Sequence, residues 1–230
     1  MLPILETPTY EMELISTKEK ILFRPFVVKE HKILMTLKNA DAKEIVRNIK
    51  NLVNVCTFNN LDINKLPYFD VEYIFMMIRS KSISEVVNVN VNCKCGNKIP
   101  SSYNIEDMRI ENKENITKNI ILDKNLSITL RYPTIEQTVD IFEDENFEEV
   151  EELIVNCMET ITNNDKVYDC KNYTKEELKN FIESLSKKQF DAIDDFFENS
   201  PQIVQNVKTK CDKCDTEIDI DIKGLYNFFL

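Results

Sequence analysis

Valines at 87, 89 and 91 alternate with asparagines at 88, 90 and 92, and the alternation stops at two cysteines, Cys93 and Cys95. It resumes with Ile99, Tyr103 and Ile105. A period of two on both sides of a break predicts a β-hairpin with its cysteines at the tip. A second phrase of this kind, NVKTKCDKCDTEIDIDI, surrounds Cys211 and Cys214 over residues 206–222. Tyr10, Met12 and Leu14 alternate within 9–17 and predict a strand. Residues 21–28 read as a second, which Pro25 makes an edge or a bend, and 126–132 as a third.

Helical spacing accounts for much of the rest. Ile33, Leu34 and Leu37 recur at that spacing within 29–39. Asp41 with Glu44 opens a helix whose apolar face is Ile45, Ile49, Leu52, Val53 and Cys56. Asp70 is placed to cap a third helix, with Val71, Ile74, Phe75 and Ile78 inward. Residues 106–125 are polar and unpatterned and read as a loop. Thr134 with Gln137, Thr174 with Glu177 and Ser186 with Gln189 are capping boxes, and Pro201 stops the last helix. Over 143–152 seven of ten residues are acidic, yet Phe147, Val150, Ile154 and Cys157 keep a helical stripe. The pattern predicts an α+β fold, mainly helical, with two cysteine-tipped β-hairpins forming a zinc-ribbon-like unit. Residues 1–132 would carry the N-terminal strands, helices and first cysteine hairpin, and 133–202 a helical region. Residues 203–230 would carry the second hairpin and the apolar tail LYNFFL, packed back on the first hairpin.

Composition narrows the chemistry. Glycine occurs only at 96 and 224, so no glycine-rich phosphate or dinucleotide loop can be built. His31 is the single histidine, in VVKEHKIL, and reads as a solvated helix residue. An enzyme of this sequence would need a deep pocket near His31 or a metal with an open ligand position. There is no apolar run of membrane-span length and no secretory start in MLPILETPTY, which places the chain in a reducing cytosol. Residues 1–140 hold 19 basic and 18 acidic side chains, whereas 141–230 hold 10 and 22. An acidic second half disfavours binding to phosphate backbones and suits a partner with a basic face.

In a reducing compartment paired cysteines serve metal more often than disulfides. Structural zinc takes four tetrahedral ligands, often all thiolate, and each cysteine turn offers two. Cys93, Cys95, Cys211 and Cys214 are therefore predicted to hold one structural zinc per chain, although a one-residue spacing as in Cys93/Cys95 is less usual than two. With four thiolates no position remains for water, so the metal would staple the middle of the chain to its end rather than catalyse. No catalytic residues are predicted. Cys56 and Cys157 read as small core residues, and Cys170 has no sequence partner. A zinc module binding nucleic acid or a transcription complex is the alternative; Asp212, Asp215, Glu217, Asp219 and Asp221 around the second hairpin oppose it.

RPFVVKEHKILM (24–35), LDINKLPYFDVEYIFMMIRSKSISEVV (61–87), the C-K-C-G turn, YTKEELKNFIESLSKKQFDAIDDFFENSP (173–201) and the C-D-K-C turn follow in an order that resembles the base plate protein family of T4-type contractile-tailed bacteriophages. The likeness runs from about residue 20 to the last hairpin. It implies a non-enzymatic part in building the baseplate hub, as a structural component or an assembly factor. The implied partners are hub proteins and tail tube or tape-measure proteins, met in the host cytoplasm during assembly, with neither nucleic acid nor membrane involved. The run over 24–32 and the aromatic tail Leu225, Tyr226, Phe228 and Phe229 are candidate contacts.

Overall fold

The structure, a computed structural model, describes residues 5–37, 40–111, 117–138 and 147–224. The chain divides into two compact units: residues 1–111 with 202–230, and residues 112–201.

In the first unit, β1 (Tyr10–Glu13) and β2 (Lys20–Phe23) form an antiparallel hairpin, with Tyr10 opposite Phe23 and Met12 opposite Ile21. Three helices follow: α1 (Val28–Thr36), α2 (Ala42–Cys56) and α3 (Tyr68–Ser82). Asp41 caps α2 by accepting from the Glu44 amide at 2.7 Å, and α2 buries Val46, Ile49, Leu52, Val53 and Cys56. The N-terminus of α1 is built differently. Glu30 reaches back to the Val27 amide at 2.8 Å and pairs with Arg24 at 3.1 Å. Asp70 does not cap α3, which begins after Pro67. Fully buried, its carboxylate accepts from the amides of Ile15 (2.7 Å) and Ser16 (3.1 Å) and from the Ser16 hydroxyl. One acid of α3 thus holds the β1–β2 turn.

Two further hairpins complete this unit. β3 (Val86–Asn92) pairs with β4 (Lys98–Asn104), with Val91 opposite Ile99 and Val87 opposite Tyr103. β10 (Gln202–Lys210) pairs with β11 (Glu217–Lys223) on one side and with β5 (Arg109–Glu111) on the other. Glu111 and Gln202 are ladder partners, so the chain leaves this unit and re-enters it at one point of one sheet.

The second unit is a four-stranded antiparallel sheet in sequence order, β6 (Asn119–Asp123), β7 (Leu126–Leu130), β8 (Met158–Asn163) and β9 (Lys166–Asp169). With it come α4 (Phe147–Cys157), α5 (Lys175–Glu183) and α6 (Lys187–Glu198). Ile128 and Leu130 of the sheet pack with Ile154, Leu178, Ile182, Ile193 and Phe196 of the helices. The boxes at Thr174/Glu177 and Ser186/Gln189 both form. At Thr134, the Gln137 side chain accepts from the residue 134 amide at 2.9 Å.

The expected mainly helical fold is overturned. Among the described residues, eleven strands in four antiparallel sheets stand beside six helices of nine residues or more. The strands that periodicity overlooked are short and wet: β5 is exposed along its length, and β6 alternates between exposed and half-buried. With no buried face there is no apolar alternation to read. Residues 163–170, which the sequence reads as a turn with one short strand, contain the reversal at Asn164 (φ 53°) and the second strand of the β8–β9 hairpin, whose first strand, Met158–Asn163, the pattern did not mark. The zinc-ribbon-like unit is also overturned. The cysteine hairpins belong to different sheets, and no ladder joins them. The tail over 225–230 lies outside the described residues. Among those residues no helix is long and apolar enough to cross a membrane.

Candidate metal centre

The two cysteine turns are closed by the same device. In the first, the Cys93 amide donates to the Asn97 carbonyl at 2.8 Å and the Gly96 amide to the Cys93 carbonyl at 2.9 Å. Gly96 takes φ 82°, a left-handed conformation that glycine adopts without strain. In the second, the Cys211 amide donates to the Thr216 carbonyl and the Asp215 amide to the Cys211 carbonyl, both at 2.9 Å. Here Asp215 supplies the left-handed residue, at φ 58°.

These turns bring together four sulfurs from the two chain segments that build the unit. All four lie within 4.8 Å of one another. Cys93 Sγ is 3.5 Å from Cys214 Sγ, and Cys95 Sγ is 3.7 Å from Cys211 Sγ. Each close pair therefore joins one hairpin to the other. Four thiolates at about 2.3 Å from a zinc ion define a tetrahedron with edges of about 3.8 Å, so the donor set and its spacing fit that ion. Cys93 and Cys211 are buried against Ile99 and Ile218, whereas Cys95 and Cys214 face solvent.

Polar neighbours that periodicity did not single out surround the sulfurs. The Asn97 side-chain amide lies 3.7 Å from Cys211 Sγ and donates to Asp212 at 2.5 Å, tying one turn to the other. The Thr216 hydroxyl lies 3.2 Å from Cys214 Sγ. That hydroxyl, with the amide of the same residue, draws the Cys214 thiol down to about 6. Cys93 goes the other way, up to about 12: the Cys95 amide favours its thiolate, but burial and the three neighbouring thiols outweigh that help. Four thiolates so close repel one another, and a divalent cation removes that repulsion.

The remaining cysteines differ in kind. Burial pushes the thiols of Cys56 and Cys170 up to about 11 and that of Cys157 up to about 12, as expected of inert core residues. His31 packs edge-on against Phe26, with ring centroids 5.8 Å apart. Within the run over 24–32, Arg24, Phe26 and Glu30 serve their own unit, through the Arg24–Glu30 pair and the Phe26 amide, which donates to the Ser82 hydroxyl at 2.9 Å, whereas Val27, Val28 and Lys29 are exposed.

Comparison with known proteins adds the wider setting. The family model described as T4 bacteriophage base plate protein matches residues 7–230. The baseplate hub assembly protein gp26 of Enterobacteria phage T4 is 28% identical over 207 residues, covering 90% of each chain. No solved structure matches the chain.

Proposed function

The chain belongs to the T4 bacteriophage base plate protein family, and we propose on that footing that it acts in forming the baseplate hub of a contractile phage tail through protein–protein contacts. The single observation that carries this reading is end-to-end similarity to a hub assembly protein, with 90% of both chains aligned. Its partners are other baseplate proteins, and more narrowly the hub and tail tube or tape-measure proteins. It meets them in the host cytoplasm, as a part of the baseplate or as a factor that helps to build it. It carries out no reaction: two glycines, one histidine and a fully thiolate cluster leave little for catalysis.

Affinity capture from phage-infected cells, read by mass spectrometry, tests the assembly role. The expected result is recovery of hub and tail proteins. Recovery of host proteins alone would sink the reading.

The cysteine cluster is proposed as a structural zinc site with Cys93, Cys95, Cys211 and Cys214 as ligands. Bound zinc would supply charge neutralisation and a cross-link between two hairpins more than a hundred residues apart in sequence. Elemental analysis of the purified chain is expected to find about one zinc per chain. Thiol modification should release it. A metal-free chain with four reactive thiols and unchanged stability would refute the site.

A further inference from the structure

A cleft of about 570 Å³ opens in the first unit beside β3 and β11. Val89, Asn90, Val91 and Asn92 of β3 line it with Lys98, and so do Ile220, Asp221 and Ile222 of β11. Successive residues of a strand point to opposite faces, so three or four in a row border one space only along the edge of their strand. Both edges are open: among the described residues β3 pairs only with β4, and β11 only with β10. Each presents a row of backbone donors and acceptors that no neighbouring strand takes up among those residues.

The side chains of the lining favour an uncharged occupant. Ile220 is 37% exposed, and Val89 and Ile222 are half-buried. The two charges, Lys98 and Asp221, cancel, and Asp221 already accepts from the Asn206 side chain at 2.9 Å. Open edges beside apolar side chains suit an extended apolar segment that adds a strand. The segment leaving the cleft has that character. β11 ends at Lys223, next to Ile222, and Gly224 follows at φ 74°, a left-handed conformation in which glycine lets a chain reverse without strain. The six residues after it, LYNFFL over 225–230, carry no charged side chain, and five of them are apolar or aromatic. Six extended residues span about 20 Å, and the four cleft residues of β3 about 13 Å, so the segment is long enough.

We infer that residues 225–230 turn back at Gly224 and dock in this cleft as an added strand, covering edges of β3 and β11 that would otherwise invite pairing with another chain. The aromatic tail then serves its own unit, beside the hairpin that carries Cys93 and Cys95, rather than a partner.

The chain has no tryptophan, so Phe228→Trp places a single reporter in the tail of the full chain. Its emission should lie to the blue of N-acetyl-tryptophanamide, and iodide should quench it less than that free indole. Adding Ile220→Asp, which puts a charge on the cleft wall at a position already 37% exposed, should move the emission to the red and restore quenching. Adding Ile121→Asp instead, at an exposed position of β6, should change neither. The blue emission should survive about hundredfold dilution, since the contact is made within one chain. Hydrogen exchange gives a second measurement. In a chain stopped at Gly224, the amides of 89–92 and 220–222 should exchange about tenfold faster, and those of 126–130 in the second unit as before. A solvent-exposed indole, indifference to Ile220→Asp, or unchanged exchange after shortening would overturn the inference. Blue emission lost on dilution would also overturn it, and would give the cleft to the tail of a second copy. Should the shortened chain fail to fold, the tryptophan-bearing chains decide alone. Capture of phage proteins and zinc content are scored separately, so the assembly and metal readings stand or fall on their own tests.

Discussion

At Asp70 a helix residue does the work of a turn. Its carboxylate accepts from the buried Ile15 amide, which the β1–β2 connection would otherwise leave unpaired, and from the amide of exposed Ser16 beside it. Asp70→Ala should cost about 1–3 kcal/mol, the usual penalty for orphaned buried donors, measured by urea unfolding. Asp70→Asn keeps an acceptor and should cost less. The two also separate a pH effect. Burial, the largest influence, raises the Asp70 pKa above 3.8 despite the hydrogen bonds from Ser16 and Ile15. The folded state then holds the proton more tightly than the unfolded one. The contribution of this group is full below pH 3.8 and is lost as pH rises through the folded-state pKa. The stability of the wild type relative to Asp70→Asn should accordingly fall across that window; a difference that rises with pH would contradict the assignment. Glu30 is the second such residue. Its carboxyl is lowered: burial, the largest influence, pushes upward, and the Val27 amide with the Arg24 guanidinium outweighs it. These two acids lie in the stretches that resembled the phage family, where they serve internal structure. The family likeness was therefore readable from residues whose roles were not: Asp70 looked like a cap because an acid early in a helix usually is one.

Among the elements, the helices announce themselves and the short strands do not. Each capping box is a local device of four residues, complete in the sequence, and the boxes at Thr174 and Ser186 form as written. Thr174→Ala removes one side of such a device and should cost about 1 kcal/mol. Thermal denaturation with Thr174→Ser as the conservative control checks it. The cysteine hairpins are equally legible, since β3 and β4 bury alternate residues on one face. What joins their tips is not local. Cys95 and Cys211 are far apart in sequence yet 3.7 Å apart in space. If zinc holds them, Cys211→Ser, which removes a buried ligand, should abolish stoichiometric metal and lower the unfolding midpoint. Cys157→Ser, in the core of the other unit, should leave the metal content unchanged.

For the whole molecule, the consequence of the topology is an insertion. The second unit departs and returns at adjacent ladder positions, Glu111 and Gln202, so the first unit is built from both ends of the chain. All four clustered cysteines belong to that discontinuous unit. A ligand that binds one folded unit stabilises that unit alone. Calorimetry of the zinc-loaded chain with and without a chelator should show one transition falling in temperature and a second, from residues 112–201, staying in place. A parallel shift of both would mean that the units unfold together.

The sequence by itself determined what short-range physics writes: the helix starts at Asp41, Thr174 and Ser186, the cysteine hairpins, the glycine and histidine scarcities that weigh against catalysis, and the motif order that carries family membership. The same physics left β5, β6 and β8 unread, because β5 is exposed along its length, β6 has no fully buried position, and short strands owe their pairing to neighbours elsewhere in the chain. Only the tertiary structure decided that the hairpins lie in separate sheets, that their four sulfurs converge, and that the net charge falls wholly on the inserted unit. Each is a relation between distant residues, set by packing, which no local period can record.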